Sequence, residues 1–462
     1  MRRQNEIRLA YLSGSVDALA VYRTWAEGRH YDYFGTNYLS QFYEVCSDLD
    51  ADTYVVTTLP ERFSRRATGR LLIENHPTPL GLRGLRFHLA AIAWFFRVIV
   101  SLYRFRPHVV IATALQNYWF LLSVLKWTGI VIVPSVHCAL WPKFASLRRS
   151  WRLLLRLNRY FFVNCCDAVM AVSEDLAEQI RSLAGDGKVR VVKFLPTYPS
   201  NQFHSFRPAN IDGGPFRIMF GGRIERNKGV FDLVDVAERL ERNEPGRFHF
   251  DICGNGPDLE TLRQRIEDIG LIATVSCHGF CGRAKYSALL EQAHVVIVPT
   301  TSNFEEGFNK VCAEAILAGR PVITSAVCPA LAYVGDAGIE VPPDSVEGYC
   351  EAILALSSDR DLYERKRCAC KAVQRQFYDA NNSWGAKLRE VLGQHAPVGV
   401  RAGGEPKRVR DRAPQMAEPG AAMPGGDAVE TVDAELRVDH SDGLPPDLTL
   451  PRLANGPGSW PG

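Results

Sequence analysis

Residues 294–321 constrain the fold of this chain more than any other stretch, because they spell strand, turn, helix and turn in one short span. His294-Val-Val-Ile-Val-Pro299 is a β-branched run suited to a buried parallel strand. After Gly307 the pattern becomes helical, with Val311, Ala315, Leu317 and Ala318 as an apolar stripe that Gly319 and Pro321 end. Glu306 stands in the turn and Glu314 follows eight residues later, a little over two helical turns. That spacing lets one carboxylate at the helix mouth and one farther along face a single crevice. Free backbone amides at Phe308, Asn309 and Lys310 would point at an anion. Carboxylates for hydroxyls and amides for phosphate describe a site for a sugar nucleotide. The plain alternative is two glutamates flanking a solvated helix start.

The rest of the chain repeats the same grammar. Ile7 to Gly14 reads as an opening strand, and a helix is predicted from about Asn37 to Ser47. Further strands are expected at Thr53–Thr57, Val109–Thr113, Val131–Pro134 and Ala168–Val172. Strands alternating with helices imply an α/β fold with mostly parallel sheets, whose ligands bind beyond the carboxyl ends of the strands. His137 stands just past one such end, either near a ligand or as a loop histidine with a local hydrogen bond. Ser173 has the chemistry and position of a helix N-cap. At 462 residues the chain has room for two cores, and 46% hydrophobic with 23% charged residues suits a soluble globular protein. A net charge of +3 argues against nucleic acid as a partner.

A second chemical element lies at Phe216-Arg-Ile-Met-Phe-Gly-Gly-Arg-Ile-Glu-Arg-Asn-Lys-Gly229. Here a strand runs into a glycine turn at Gly222 and then to Arg223 and Lys228 before a helix. Glycines let a diphosphate approach the backbone, and the two cations can neutralise it. Together with Glu306-Gly-Phe-Asn-Lys-Val-Cys-Ala-Glu314, this resembles retaining glycosyltransferases of the GT-B fold, family 4, over about residues 7–394.

The resemblance implies two Rossmann-like doubly wound domains facing a cleft. The expected boundaries are an acceptor-side domain over 1–200, a linker over 201–215 and a nucleotide-sugar domain over 216–380. A crossover helix at 381–395 would return to the first domain. By the same resemblance Arg223 and Lys228 hold the donor's phosphates, Glu306 its sugar hydroxyls and Glu314 its ribose. Gly222, Asn309 and Lys310 line the donor, His137 lies close to the donor sugar, and Gly14 admits an acceptor. The donor is a nucleotide-diphospho-sugar, the acceptor a polysaccharide or lipid-linked hydroxyl, and neither metal nor cofactor is needed. A nucleotide-sugar epimerase, a phosphorylase and a non-catalytic protein keeping the fold stay open as alternatives.

Twelve scattered cysteines without a C-x2-C pair suit reduced thiols in a cytoplasmic protein, and Cys277, His278 and Cys281 hint only faintly at a metal. Arg148, Arg152, Arg156 and Arg159 recur at helical spacing beside Trp151 and several leucines, as a solvated face or as a peripheral contact with an anionic membrane. Residues 396–462 hold ten Pro and ten Gly with few large apolar side chains, a composition that predicts disorder. Truncation after Gln394 is therefore expected to leave the melting temperature and activity intact; a large loss of either would show that the tail docks.

Overall fold

The computed structural model describes residues 7–29, 37–60, 62–77, 84–113, 118–147, 149–211 and 213–395. The 396–462 tail, Gly35 and Arg148 lie outside the described residues. The first sheet contains β1 (Arg8–Gly14), β2 (Asp52–Thr57), β3 (Ser64–Thr68), β4 (Leu71–Asn75), β5 (Val109–Ala112), β6 (Val131–Val136), β7 (Val169–Ala171) and β8 (Val191–Lys193). Their order is β3-β4-β2-β1-β5-β6-β7-β8, and every pairing is parallel except that of β3 with β4. The β3–β4 hairpin has no counterpart in the sequence pattern. Its edge strand, Ser64-Arg-Arg-Ala-Thr68, is exposed at all five residues and so lacks the apolar run that marks the buried strands.

The second sheet holds β9 (Phe216–Gly221), β10 (Phe248–Cys253), β11 (Val275–Gly279), β12 (Val295–Val298), β13 (Val322–Ser325) and β14 (Gly338–Val341). All its pairings are parallel, in the order β11-β10-β9-β12-β13-β14. Chain order reverses between β9 and β12, so their connections leave in opposite directions and open a crevice beyond the strand ends. The corresponding reversal in the first sheet lies between β1 and β5. All four residues of β12 are buried, as a strand covered on both faces requires.

Local capping agrees with the sequence. Asn37 caps the Tyr38–Asp48 helix by accepting from the Leu39 amide, and Ser173 caps Glu174–Ala184 by accepting from Leu176. The last helix, Trp384–His395, packs against the Tyr38–Asp48 helix of the first half. Trp384 is fully buried there beside Tyr11, and its indole N–H donates to Ser135 Oγ at 2.8 Å. Gly385 N–H donates to Gln41 Oε1 at 2.7 Å. A large ring with its one polar atom satisfied anchors this returning segment. Trp384→Ala is expected to lower stability by about 3–5 kcal/mol in chemical denaturation, the range for deleting a buried aromatic. A loss below about 1 kcal/mol would mean that the segment is held elsewhere.

Candidate active site

The crevice at the β9–β12 reversal is built by two loops pressed together. The loop after β9 passes Gly222 and Arg223, makes a short 3-10 turn at Arg226–Lys228, and reaches Gly229 in the left-handed region at φ 73°. A Cβ on Gly229 would lie 1.8 Å from the Pro299 carbonyl oxygen, so only glycine permits this seating. The consequence is chemical: Lys228 Nζ stands 2.7 Å from Glu306 Oε2. Thr300 Oγ1 and Asn309 Nδ2 donate to the same oxygen at 3.2 and 3.4 Å. The Phe304 ring lies 3.9 Å from the ammonium. Glu306 Oε1 takes no bond among the described residues. Lys228 is 12% exposed, whereas Arg223 is 43% exposed and bonds Glu225 at 3.1 Å, so the two cations are held very differently.

Glu314 has other company. It sits on the Lys310–Leu317 helix, which Asn309 caps by accepting from the Val311 amide. Tyr286 OH donates to Glu314 Oε2 at 2.8 Å and Tyr198 OH to Oε1 at 3.4 Å. The Tyr286 hydroxyl also lies where a Cβ on Gly221 would come within 3.0 Å, which sets Glu314 behind the turn that ends β9. Burial pushes the Glu314 carboxyl up to about 7, against the opposing effects of the Tyr286 hydrogen bond and the Lys310 charge. Glu306, in the loop ahead of the helix, and Glu314, on the helix, thus have separate partners, whereas the spacing alone suggests one shared crevice. Tyr198 and Tyr286 belong to no motif, and nothing in the sequence marks them.

The first half meets this loop from across the cleft. A Cβ on Gly307 would lie 2.0 Å from the His137 carbonyl oxygen, and the Ala139 amide donates to Glu305 O at 3.2 Å. His137 Nε2 lies 2.9 Å from Ser135 Oγ, the same hydroxyl that accepts from Trp384. Tyr38 and Phe194 cover the imidazole at 4.6 and 5.2 Å between ring centres. Burial first, and then the Lys310 charge, lower its pKa to about 3. His137 is therefore a neutral ring near pH 7, a hydrogen-bonding and packing group rather than a proton carrier. Lys310 Nζ stands 4.6 Å over the Tyr38 ring and joins the two halves. A crevice beside Glu306 is lined by Ala139, Lys143, Asp175 and Gln179 from one half and Phe304 and Val327 from the other.

Gly14 ends β1 at φ 79°, and its carbonyl accepts from Thr58 N–H. No described contact joins it to the Lys228–Glu306 group. His278, flanked by Cys277 and Cys281, bonds Asp251 at 2.8 Å. No cluster of three or more His, Cys, Asp or Glu suited to a metal occurs among the described residues.

Two α/β halves in tandem, with a basic loop and a glutamate helix at the second sheet's reversal, define the GT-B class of nucleotide-sugar proteins. A family profile described as glycosyltransferase family 4 matches residues 36–193, and one described as glycosyl transferases group 1 matches 201–374. The chain belongs to the GT-B glycosyltransferases. Glycogen synthase of Mycobacterium tuberculosis is 26% identical over 209 residues, covering 44% of this chain and 49% of that protein. A GDP-mannose-dependent alpha-(1-6)-phosphatidylinositol monomannoside mannosyltransferase of the same organism is 27% identical over 255 residues, 47% of this chain and 65% of its own. The chain thus spans about half the length of the first of these curated relatives and under two thirds of the second. In fold it is similar to Anabaena HepE in complex with UDP and glucose, with a TM-score of 0.59 and 18% identity over 84% of this chain and 99% of that one.

Glu314 gives a pH test of this geometry. Its carboxyl has an ordinary value of 4.5 in the unfolded chain and about 7 when folded. Between those values the folded state holds a proton that the unfolded state releases, so this group's contribution to stability falls as pH rises through the window. Glu314→Gln removes that penalty. Its melting temperature relative to wild type is expected to rise between pH 5 and pH 8, by up to about 3 kcal/mol in stability. A difference that does not change with pH would contradict the buried, proton-holding carboxyl.

Proposed function

We propose that the chain transfers a sugar from a nucleotide-diphospho-sugar to an acceptor hydroxyl with retained anomeric configuration. The observation that carries this reading is the Lys228–Glu306 pair, at 2.7 Å on the strand reversal of the second sheet. A diphosphate entering over the Gly222–Gly229 loop would take Lys228 and Arg223 as its cations, and the amides at the start of the Lys310–Leu317 helix would add partial positive charge. Charge builds on the departing diphosphate as the glycosidic bond breaks, and preorganised cations stabilise it. Glu306, with Oε1 unspent, would accept from donor-sugar hydroxyls. Glu314, behind the β9 turn, would accept from the ribose.

The departing phosphate takes the acceptor's proton, and no metal is required in this scheme. His137, neutral near pH 7, would offer a hydrogen bond close to the sugar and not a proton. UDP bound in HepE and GDP-mannose named for the mannosyltransferase both favour a nucleoside diphosphate donor without choosing the base. The acceptor is a polysaccharide or lipid-carried hydroxyl at the cytoplasmic side of a membrane. That mannosyltransferase acts on a phosphatidylinositol mannoside, which supports the lipid-carried alternative.

Arg223→Ala and Lys228→Ala are each expected to lower turnover about a hundredfold, the scale for losing one preorganised charge partner. Arg223→Ala should leave the fold unchanged because its side chain is 43% exposed. Lys228→Ala should also cost stability, since it strands the buried Glu306 carboxylate. The assay is release of free nucleoside diphosphate with and without acceptor, with NMR of the product's anomeric proton. Full turnover by Arg223→Ala refutes the assignment. Donor consumption without acceptor favours an epimerase or a hydrolase, and an inverted product refutes retention.

A further inference from the structure

Residues 75–166 contain twelve Lys or Arg and no Asp or Glu. Besides β5 and β6 this stretch forms three neighbouring elements on the first half: the Gly84–Phe105 helix, the 3-10 helix Trp119–Thr128 and the Arg149–Asn164 helix. The 3-10 helix touches both of the others. An ordinary solvated face mixes both signs of charge, and this one does not.

The Gly84–Phe105 helix is apolar on two sides. Trp94, Phe95, Val98 and Leu102 are buried in the core, at the spacing of one helical face. On the outer side Leu89, Ile92, Phe96 and Tyr103 are 47–68% exposed. Among the described residues this is the one helix long and apolar enough to cross a membrane, yet its inner stripe belongs to the domain core, which fixes it in place.

The neighbouring elements also expose large apolar side chains. Trp127 on the 3-10 helix is 88% exposed. Leu153, Leu157 and Tyr160 lie outward on the third element, interleaved with Arg149, Arg152, Arg156 and Arg159. Nine of the thirteen large exposed apolar side chains among the described residues fall on these three elements, so the patch is concentrated and not a scatter of single residues. None of the four arginines has an acidic partner among the described residues, while Lys126 and Lys143 at the margins pair with Asp167 and Asp175.

We propose that this outer face is a docking platform for an anionic bilayer surface. Phe96, Trp127 and Leu153 enter the headgroup boundary, and Arg152, Arg156 and Arg159 bind lipid phosphates. Three elements that are rich in arginine and carry no acidic residue of their own have the charge that an anionic leaflet complements, and aromatic side chains with polar edges suit its interface. The two longer helices lead into parallel strands, so their first turns lie at the strands' carboxyl ends, beside the cleft. On the transferase reading, a lipid-carried acceptor would then pass from the bilayer to the site over a short path.

The test is flotation of the full chain with phosphatidylcholine vesicles and with vesicles of phosphatidylcholine and phosphatidylglycerol, at low and high salt. Wild type is expected to float with the anionic vesicles only, and less at high salt. Changing Arg152, Arg156 and Arg159 to Glu should weaken partition about a hundredfold or more. Trp127→Ser should weaken it about tenfold while leaving circular dichroism unchanged. Should the charge-reversed form fail to fold, Trp127→Ser still decides, because a side chain 88% exposed packs against nothing in the fold. Binding that ignores lipid charge, salt and both changes overturns the platform. So does a self-associated species in sedimentation velocity that Trp127→Ser abolishes with no vesicle binding, which would make the face a protein interface. Donor turnover is not read, so failure here leaves the transferase reading standing.

Discussion

The chemistry of this molecule depends on the close seating of the Gly222–Gly229 loop against the end of β12. Strands β9 and β12 are neighbours in the sheet although their sequences lie far apart, and the reversal of strand order leaves an opening above them. Gly229 closes the distance, since any side chain there would collide with the Pro299 carbonyl. That contact brings an ammonium and a carboxylate together with 12% and 9% of each side chain exposed. A buried pair of this kind adds little to stability compared with apolar packing, but removing one partner costs about 3–5 kcal/mol. The two charges hold each other in place until a stronger partner for either arrives. On the proposed transferase reading a donor phosphate would be such a partner for Lys228, and its arrival would release Glu306 toward a hydroxyl.

The segment from Glu306 into the Lys310–Leu317 helix shows how environment, not residue type, assigns roles. Glu306 lies opposite a cation in the loop ahead of the helix, whereas Glu314, within the helix, is enclosed by two tyrosine hydroxyls and holds its proton up to about pH 7. Gly307, between them, bears directly on the His137 backbone, so the glutamate loop is also where the two halves touch. His137 is covered by Tyr38 and Phe194 and tied through Ser135 to Trp384 of the last helix. The contact between the two halves and the geometry of the site therefore rest on the same residues.

What the sequence made legible was whatever is encoded locally. The β-branched runs, the caps at Asn37 and Ser173, and the glycine-flanked charges at Arg223, Lys228, Glu306 and Glu314 are each readable within a dozen residues, because propensity, turn chemistry and motif spacing act over that range. The β3–β4 hairpin was not legible, since an exposed edge needs no hydrophobic signature. Nor were Tyr198 and Tyr286, which reach Glu314 from distant parts of the chain. The Trp384–Ser135–His137 connection spans nearly 250 positions, and no local pattern announces it. The burial of Lys228 was not legible either, because a loop position says nothing about which strand end the loop will lie against.

The outer face of the first half raises a constraint of its own. Its long helix needs a buried stripe to hold the domain together, and a helix of that composition would ordinarily carry polar residues on the other side. Here the other side is also apolar, and the charges the helix itself carries are all positive. Exposed Phe96 and Trp127 contribute little to the stability of the isolated fold, because most of each ring stays in water in both the folded and the unfolded chain. Such side chains lower the free energy only in a state where something removes that water. The absence of acidic residues from 75 to 166 narrows what that can be, since a mixed-charge protein surface would find no cations balanced by anions to match. An anionic layer needs none, and the cleft entrance at the same end of the helices gives the contact a use.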